Sequence, residues 1–126
     1  MIRYGYNQQI VPPAPFVHVT LRCRETGKEA PEVPAQVDPG ADRTVIPARI
    51  VQELGLVPLD ELQVSGFGGQ VFLLPTYRLE VNIRSFQPLI VEVFAHADEP
   101  FVLLGRDVLN AHRILLDGPR LMVEIE

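Results

Sequence analysis

Apolar and polar residues alternate along most of the chain after residue 15. The alternation is clearest in residues 16–23, 33–37 and 77–83, where one side of each segment is apolar and the other is polar. A period of two is typical of strands that bury one face in a core. Other segments of strand character, alternating or continuously apolar, lie at residues 62–64, 71–74, 89–95, 101–104, 114–116 and 121–125. The pattern therefore predicts about eight strands.

Two short helices are predicted between these strands. Residues 47–54 are the better candidate, since Pro47 suits a first helical position and Gly55 is a natural stop. Residues 106–111 have room for one or two helical turns. Pro75 is expected to separate two strands, and the last two strands are expected to form a hairpin. The sum predicts an all-β fold, a barrel or a sandwich.

The first 15 residues differ from the rest because they are rich in proline, with the sequence VPPAP at residues 11–15. Proline at this density favours an extended arm without internal hydrogen bonds. Two alternatives stay open: the arm is a loosely ordered terminus, or it packs on a partner subunit. We therefore divide the chain into an N-terminal arm, residues 1–15, and one domain, residues 16–126.

Composition narrows the class of protein. The sequence is 47% hydrophobic and 21% charged, which is typical of a globular chain. Its net charge of −5 argues against nucleic acid as a partner, because phosphates require a basic surface. Cys23 is the single cysteine, which excludes an internal disulfide and a cysteine-based zinc site. Without a signal peptide or a membrane-spanning run, we expect a cytoplasmic protein with no membrane partner.

The stretch of greatest chemical interest follows the predicted strand at residues 33–37. Its residues are Asp38, Pro39, Gly40, Ala41 and Asp42. Pro39 biases the residue before it towards an extended conformation, so Asp38 is expected at the end of the strand. A glycine two residues later lets the backbone approach a bound chain closely. Asp38 either places a carboxylate in a cleft or caps a turn.

This stretch resembles the Asp-Thr/Ser-Gly-Ala signature of the retropepsin-like (clan AA) aspartic proteases, with bacterial and cellular members the nearest in type. Three further segments occur in the order that the resemblance implies. They are residues 44–47 with the Leu-Gly-Leu at 54–56, the glycine-rich residues 66–69, and the sequence VLLGRDVL at 102–109. The resemblance covers residues 16–126. It implies an acid-protease barrel that closes on itself, with one or two short helices and one lobe per chain.

The resemblance also implies a reaction and a site. Aspartic proteases hydrolyse peptide bonds with water activated by two carboxylates that share a proton. This chain has one such aspartate, so Asp38 would pair with Asp38 of a second copy in a two-fold homodimer. The residues implied to bind a peptide or protein substrate are Gly40, Ala41, Asp42 and, in a flap, Gly66, Phe67, Gly68 and Gly69. An ion pair between Asp42 and Arg106 would brace the loop, and no cofactor or metal is implied.

Pro39 departs from the family pattern, which has threonine or serine at this position. The resemblance implies that this hydroxyl makes hydrogen bonds across the dimer axis, and proline has neither a hydroxyl nor an N–H. The alternative is therefore a catalytically silent module that keeps the barrel for dimerisation or peptide binding. The sequence does not support three other kinds of site. The three histidines are far apart in sequence, which argues against a metal site. Ser65 lacks the nucleophile-elbow pattern of a serine hydrolase, and residues 66–69 lack the ending of a phosphate-binding loop.

Overall fold

The fold comes from a computed structural model that describes residues 1–65 and 67–126. The strands of these residues, β1 to β10 in chain order, are Ile2–Gly5, Phe16–Arg22, Glu29–Val37, Val45–Pro47, Asp60–Ser65, Val71–Asn82, Leu89–His96, Val102–Leu104, Ile114–Asp117 and Met122–Ile125. The two α-helices described are α1, Ala48–Leu54, and α2, Arg106–Leu109. A short 3₁₀ turn lies at Phe67–Gly69.

Six of these strands close into a barrel. One sheet has the order β2-β3-β8-β4-β7-β6-β5, and β2 also pairs with β6. This additional pairing joins the two sides of the sheet, so β2, β3, β8, β4, β7 and β6 complete a ring and β5 lies outside it. The closed all-β barrel with two short helices, predicted from the sequence, is confirmed.

The alternation of the sequence corresponds to the two faces of the barrel strands. Val17, Val19 and Leu21 of β2 are fully buried, as are Leu79 of β6 and Val93 of β7. The residues between them are half-buried or exposed. A fully buried side chain of this size contributes about 1.5–3 kcal/mol, so the ring of inward residues supplies the main stabilisation of the fold.

β6 is longer than the sequence predicts, because it continues through Pro75 where we expected a break. Pro75 pairs with Glu61 of β5, whereas the pairing of β6 with β7 begins only at Thr76. Pro75 therefore has a strand on one side only, which is where sheets tolerate the missing N–H. The part of β6 before Thr76 forms a hairpin with β5 that extends beyond the pairing of the ring.

The helices are close to their predicted positions. Pro47 precedes α1 with extended backbone, φ −60° and ψ 140°, and so does not occupy the first helical position as expected. Gly55 ends the helix with a φ of 66°, as the sequence predicts. Ile50 and Leu54 are the buried residues of α1. Among the described residues, neither helix is long and apolar enough to cross a bilayer.

β1 connects the N-terminus to the C-terminal hairpin. It pairs with β10, which also pairs with β9, so these strands form a second, three-stranded sheet. Tyr4 is buried from β1, with its ring edge-on to His18 and 5.0 Å from the guanidinium carbon of Arg84. Asn7 and Ala14 exchange two backbone hydrogen bonds. The expected arm without internal hydrogen bonds is therefore not what these residues form, and the domain boundary at residue 15 stays a prediction.

Candidate active site

Asp38 lies one residue beyond the end of β3. This strand runs parallel to β8 with Val37 opposite Leu104, and the N–H of Asp38 donates to the carbonyl oxygen of Leu104 at 3.0 Å. Pro39 has no N–H with which to continue the ladder, so the chain leaves the sheet there. The side chain of Asp38 is half-buried. The structure thus places Asp38 at a strand end, where the sequence predicts it.

The loop after Asp38 folds around its carboxylate. The N–H of Gly40 donates to Asp38 Oδ1 at 3.1 Å, and the N–H of Ala41 donates to the Asp38 carbonyl oxygen at 3.1 Å. A Cβ on Gly40 would lie 3.2 Å from the same Oδ1, so a larger residue would press on the carboxylate. Asp38 therefore caps a turn through one oxygen and remains partly open to solvent, and the two interpretations of this residue are compatible.

Arg106, the first residue of α2, contacts the loop at three points. Its backbone N–H donates to the Ala41 carbonyl oxygen at 2.9 Å, and its Nη1 donates to the Pro39 carbonyl oxygen at 2.8 Å. Its Nη2 lies 3.4 Å from Asp42 Oδ1, so the structure brings together two residues that are 64 positions apart. The Asp42 side chain is 88% exposed, and an ion pair of this kind typically contributes below about 1 kcal/mol. Nothing in the sequence indicates the shorter bond to Pro39.

A second connection between the loop and α2, which the sequence did not predict, joins Thr44 to Asp107. Thr44 is fully buried, and its N–H and its hydroxyl donate to the Asp107 carboxylate, at 3.0 Å to Oδ2 and 2.8 Å to Oδ1. The Thr44 hydroxyl oxygen accepts the N–H of Gly105 at 3.1 Å, and Asp107 Oδ1 accepts the N–H of Val108 at 2.9 Å. Both residues lie in segments that carry the resemblance, but the residues next to them in the sequence do not indicate that the two are in contact.

Gly105 allows the loop and the start of α2 to meet backbone to backbone. A Cβ on this residue would lie 2.5 Å from the carbonyl carbon of Arg43 and 2.8 Å from its oxygen. No side chain fits at such distances unless the backbone shifts. The loop from Asp38 to Thr44 is therefore fixed at one end to β8 and at the other end to α2.

The hairpin of β5 and β6 is where the sequence predicts a flap. Six residue pairs join its strands, from Asp60 opposite Thr76 at the base to the tip. Gly68 and Gly69 in the turn have φ values of 85° and 80°, a region that other residues rarely adopt. Gly66 lies outside the described residues, as does the side chain of Phe67. The predicted contacts of these hairpin residues with a substrate stay predictions.

The three histidines lie at different places in the fold. Each packs against a separate aromatic ring, Tyr4 for His18, Phe72 for His96 and Phe86 for His112. Within residues 1–65 and 67–126, no three histidine, cysteine, aspartate or glutamate side chains lie close enough together to hold a metal ion.

A closed barrel with an aspartate at a strand end, inside an Asp-Pro-Gly-Ala-Asp loop, defines an acid-protease type of domain. A family model described as "gag-polyprotein putative aspartyl protease" matches residues 27–111, which is more than half of the chain. The chain belongs to this family of retropepsin-like aspartic proteases. A comparison with curated protein sequences found no match.

Solved structures with similar folds include a bacterial, a foamy viral and a protozoan protein. A retropepsin-like aspartic protease from Rickettsia conorii is 14% identical with a TM-score of 0.69, and the match covers 98% of this chain and 88% of that one. A foamy viral protease-reverse transcriptase is 17% identical with a TM-score of 0.55, over 79% of this chain and 16% of that one. The retroviral protease-like domain of Ddi1 from Leishmania major is 18% identical with a TM-score of 0.52, over 88% of each chain. At these identities the similarity concerns the fold.

Proposed function

We propose that this protein is an aspartic endopeptidase that acts as a homodimer, with Asp38 of each protomer in the catalytic pair. The observation that carries the proposal is the placement of Asp38, a half-buried carboxylate at the end of a barrel strand in a loop fixed at both ends. Membership of the family and the closed barrel support the same reaction. The sequence contains one Asp-Pro-Gly stretch, so the second carboxylate would come from a second copy.

The pair would activate water without a metal. Two carboxylates about 3 Å apart cannot both ionise, so they share one proton. The ionised aspartate takes a proton from a water molecule, whose oxygen bonds to the carbonyl carbon of the substrate, and the protonated aspartate gives its proton to the carbonyl oxygen. The C–N bond then breaks with its electron pair going to nitrogen. The departing amine receives a proton from the pair, and one hydroxyl of the diol returns its proton to the pair as the carboxyl group forms. Each protomer supplies one carboxylate to this sequence.

A substrate would lie as an extended strand between the loop and the hairpin, held largely through backbone hydrogen bonds. We propose that Gly40, Ala41 and Asp42 line one side and that residues 66–69 form the flap on the other side. Val71 and Leu73 of the hairpin are each 61% exposed and offer apolar surface to substrate side chains. Closure of such a flap would exclude bulk water from the reaction.

Cys23 supports a reducing compartment as the place of action. It is the single cysteine of the sequence, it is buried, and its Sγ–H donates to Glu25 Oε2 at 3.4 Å. A buried thiol of this kind is compatible with the cytoplasm, where thiols stay reduced. The cytoplasm therefore remains our proposed location.

The second candidate function is a catalytically silent module that dimerises or binds peptides. Pro39 is the observation that favours it, because this exposed loop residue has no hydroxyl and no N–H to fix the two loops of a dimer to each other. Such a module would bind a peptide between loop and hairpin and release it intact. The two candidate functions differ in that the peptidase requires the Asp38 carboxylate for its activity and the silent module does not.

Replacing Asp38 with asparagine is expected to lower peptide cleavage about 10²- to 10⁴-fold, because asparagine keeps the shape of the side chain but cannot share a proton. The native protein and Asp38→Asn are incubated with a diverse peptide library at acidic and neutral pH, and products are identified by mass spectrometry. Glu53→Gln makes the same change of acid to amide on the exposed side of α1 and is expected to cleave like the native protein. Equal cleavage by the native protein and Asp38→Asn would contradict the proposed Asp38 peptidase. Peptide that the native protein binds and leaves intact would support the silent module.

A further inference from the structure

Proline at position 39 limits the ways in which the catalytic loop can be held. It has no N–H and no hydroxyl, so the carbonyl oxygen is its sole polar group. That oxygen accepts a hydrogen bond from Nη1 of Arg106 at 2.8 Å, a distance typical of charge-assisted bonds. A threonine or serine at this position could donate through its own side chain and backbone. The centre of this loop depends instead on a bond that Arg106 supplies.

We propose that Arg106 is the positioning residue for Asp38 and that it acts by holding the Pro39 carbonyl group. The inference rests on the proposed function, since it concerns how the carboxylate is aligned for catalysis. The described contacts of Arg106 in the loop are with Pro39, Ala41 and Asp42. Its effect on Asp38 is therefore exerted through the neighbouring residues.

A short series of contacts leads from Arg106 to the carboxylate. Its Nη1 and its backbone N–H hold the carbonyl oxygens of Pro39 and Ala41, the two residues that flank Gly40. The N–H of Gly40 donates to Asp38 Oδ1 at 3.1 Å. A shift of either carbonyl group would move this N–H, and with it the carboxylate oxygen that it fixes.

The ion pair with Asp42 is the weaker part of this arrangement. Its atoms are 3.4 Å apart on side chains that are both exposed, so water and salt screen it. The bond to the Pro39 carbonyl oxygen requires no second charge and is screened less. If Arg106 acts through Pro39, the effect of its removal will persist at high salt.

Arg106→Met keeps the apolar stem of the side chain and removes its donors. We expect kcat for a peptide that the native protein cleaves to fall about 10- to 100-fold, with a smaller change in KM, because a displaced reacting group lowers the rate by up to about that factor. The matched control is Arg24→Met, since Arg24 is also an exposed arginine in an ion pair, with Glu80 at 3.6 Å. Its kcat should equal that of the native protein. An Arg106→Met protein with a raised KM and a native kcat would contradict the proposal.

Pro39→Thr tests whether Arg106 acts through residue 39. Threonine gives the loop its own donors, so Arg106→Met should lower kcat at least about tenfold less when combined with Pro39→Thr than when proline is present. If Arg106→Met lowers kcat by the same factor with threonine at position 39 as with proline, the proposal is overturned. Thermal unfolding of all four proteins shows whether each is folded at the assay temperature. If Pro39→Thr does not fold, Pro39→Ser takes its place.

Amide hydrogen exchange distinguishes failure of this inference from failure of the proposed function. The N–H of Ala41 bonds to the Asp38 carbonyl oxygen inside the loop, so its exchange rate reports loop order whether or not any peptide is cleaved. Arg106→Met should raise this rate about tenfold or more while the amides of β7 exchange as in the native protein. If no peptide is cleaved, the proposed function fails and the exchange rate alone decides. Unchanged protection at Ala41 would rule out the positioning role.

Discussion

Thr44 is a fully buried polar residue whose side chain serves two partners. Its hydroxyl group donates to Asp107 Oδ1 at 2.8 Å and its oxygen accepts the N–H of Gly105 at 3.1 Å. Loss of a partner by a buried polar group destabilises a protein by about 1–3 kcal/mol. Thr44, at the end of the Asp38 loop, is therefore expected to be as sensitive to substitution as a residue of the apolar core.

Thr44→Val is expected to lower the free energy of unfolding by about 1–3 kcal/mol, because valine has nearly the same shape but leaves the Gly105 N–H without a partner and removes the hydroxyl bond to Asp107 Oδ1. Unfolding in urea measures this change. Thr44→Ser keeps both hydrogen bonds and loses one methyl group, so it should cost about 1 kcal/mol or less. A Thr44→Val protein within about 0.5 kcal/mol of native stability would show that these bonds do not stabilise the fold.

At the residue scale, the sequence predicts those positions whose neighbours along the chain reveal their environment. Asp38, Pro39 and Gly40 are consecutive, so an acid at a strand end followed by a turn can be inferred directly. Thr44 and Asp107 are 63 residues apart and meet only when β8 and α2 pack against the loop. A hydroxyl and a carboxylate at that separation look like two ordinary surface residues until the fold is known.

At the scale of elements, the alternating segments predicted β2, β3, β6 and β7 because each of these strands has a buried side. β8 was predicted from its continuous apolar run, whereas β4, Val45–Pro47, was not among the strands that the pattern predicted. β1 was not predicted, since its pairing comes from β10 at the other end of the chain and the prolines that follow it suggested an arm. The continuation of β6 through Pro75 was missed for a similar reason. A proline is acceptable there because β7 does not yet pair at that point, which a single sequence does not show.

The buried Tyr4 of β1 is expected to make the stability of the fold depend on pH. Burial raises the pKa of the Tyr4 hydroxyl above its ordinary value of 10.0, an effect that the nearby Arg84 opposes. The folded state therefore holds this proton more tightly than the unfolded state does. The resulting stabilisation is fully present below about pH 10 and is lost as the pH rises through that value towards the folded pKa.

Tyr4→Phe has no hydroxyl to ionise at this position, so its free energy of unfolding should fall less than that of the native protein between about pH 9 and about pH 11. Urea unfolding at several pH values measures the two curves. Their separation at neutral pH reports the loss of packing and of the hydrogen bond that the Tyr4 hydroxyl donates to the His18 carbonyl oxygen at 3.5 Å, and it serves as the reference. Curves that stay parallel across the alkaline range would contradict a contribution from Tyr4.

At the scale of the whole molecule, the barrel and the proposed active site have different requirements. The ring of strands closes within one chain, so none of its pairings comes from a second copy. The proposed carboxylate pair does need one. The fold class could be predicted because the resemblance covers most of the chain, whereas the association of two copies depends on surfaces that carry no comparable pattern. Concentration should therefore affect activity and folding differently.

Dilution is expected to lower the cleavage rate per mole of protein while the barrel stays folded. Well below the dissociation constant of the dimer, the total rate should follow roughly the square of the protein concentration. Peptide cleavage and sedimentation are measured over the same concentration series, and circular dichroism checks the fold at each point. A constant specific activity with a monomeric mass throughout would exclude a pair built from two chains.

The hairpin of β5 and β6 lies outside the ring of the barrel, so the residues proposed to select a peptide differ from the residues that hold the fold together. β5 pairs with β6 alone among the described strands, and the residues of β6 before Thr76 have no partner in the ring. Substitutions in residues 60–65 and 67–75 therefore lie outside the strand pairings of the barrel. In the proposed enzyme, new peptide preferences can therefore evolve in this segment while the strand pairings of the barrel stay unchanged, and a directed-evolution library confined to it keeps those pairings.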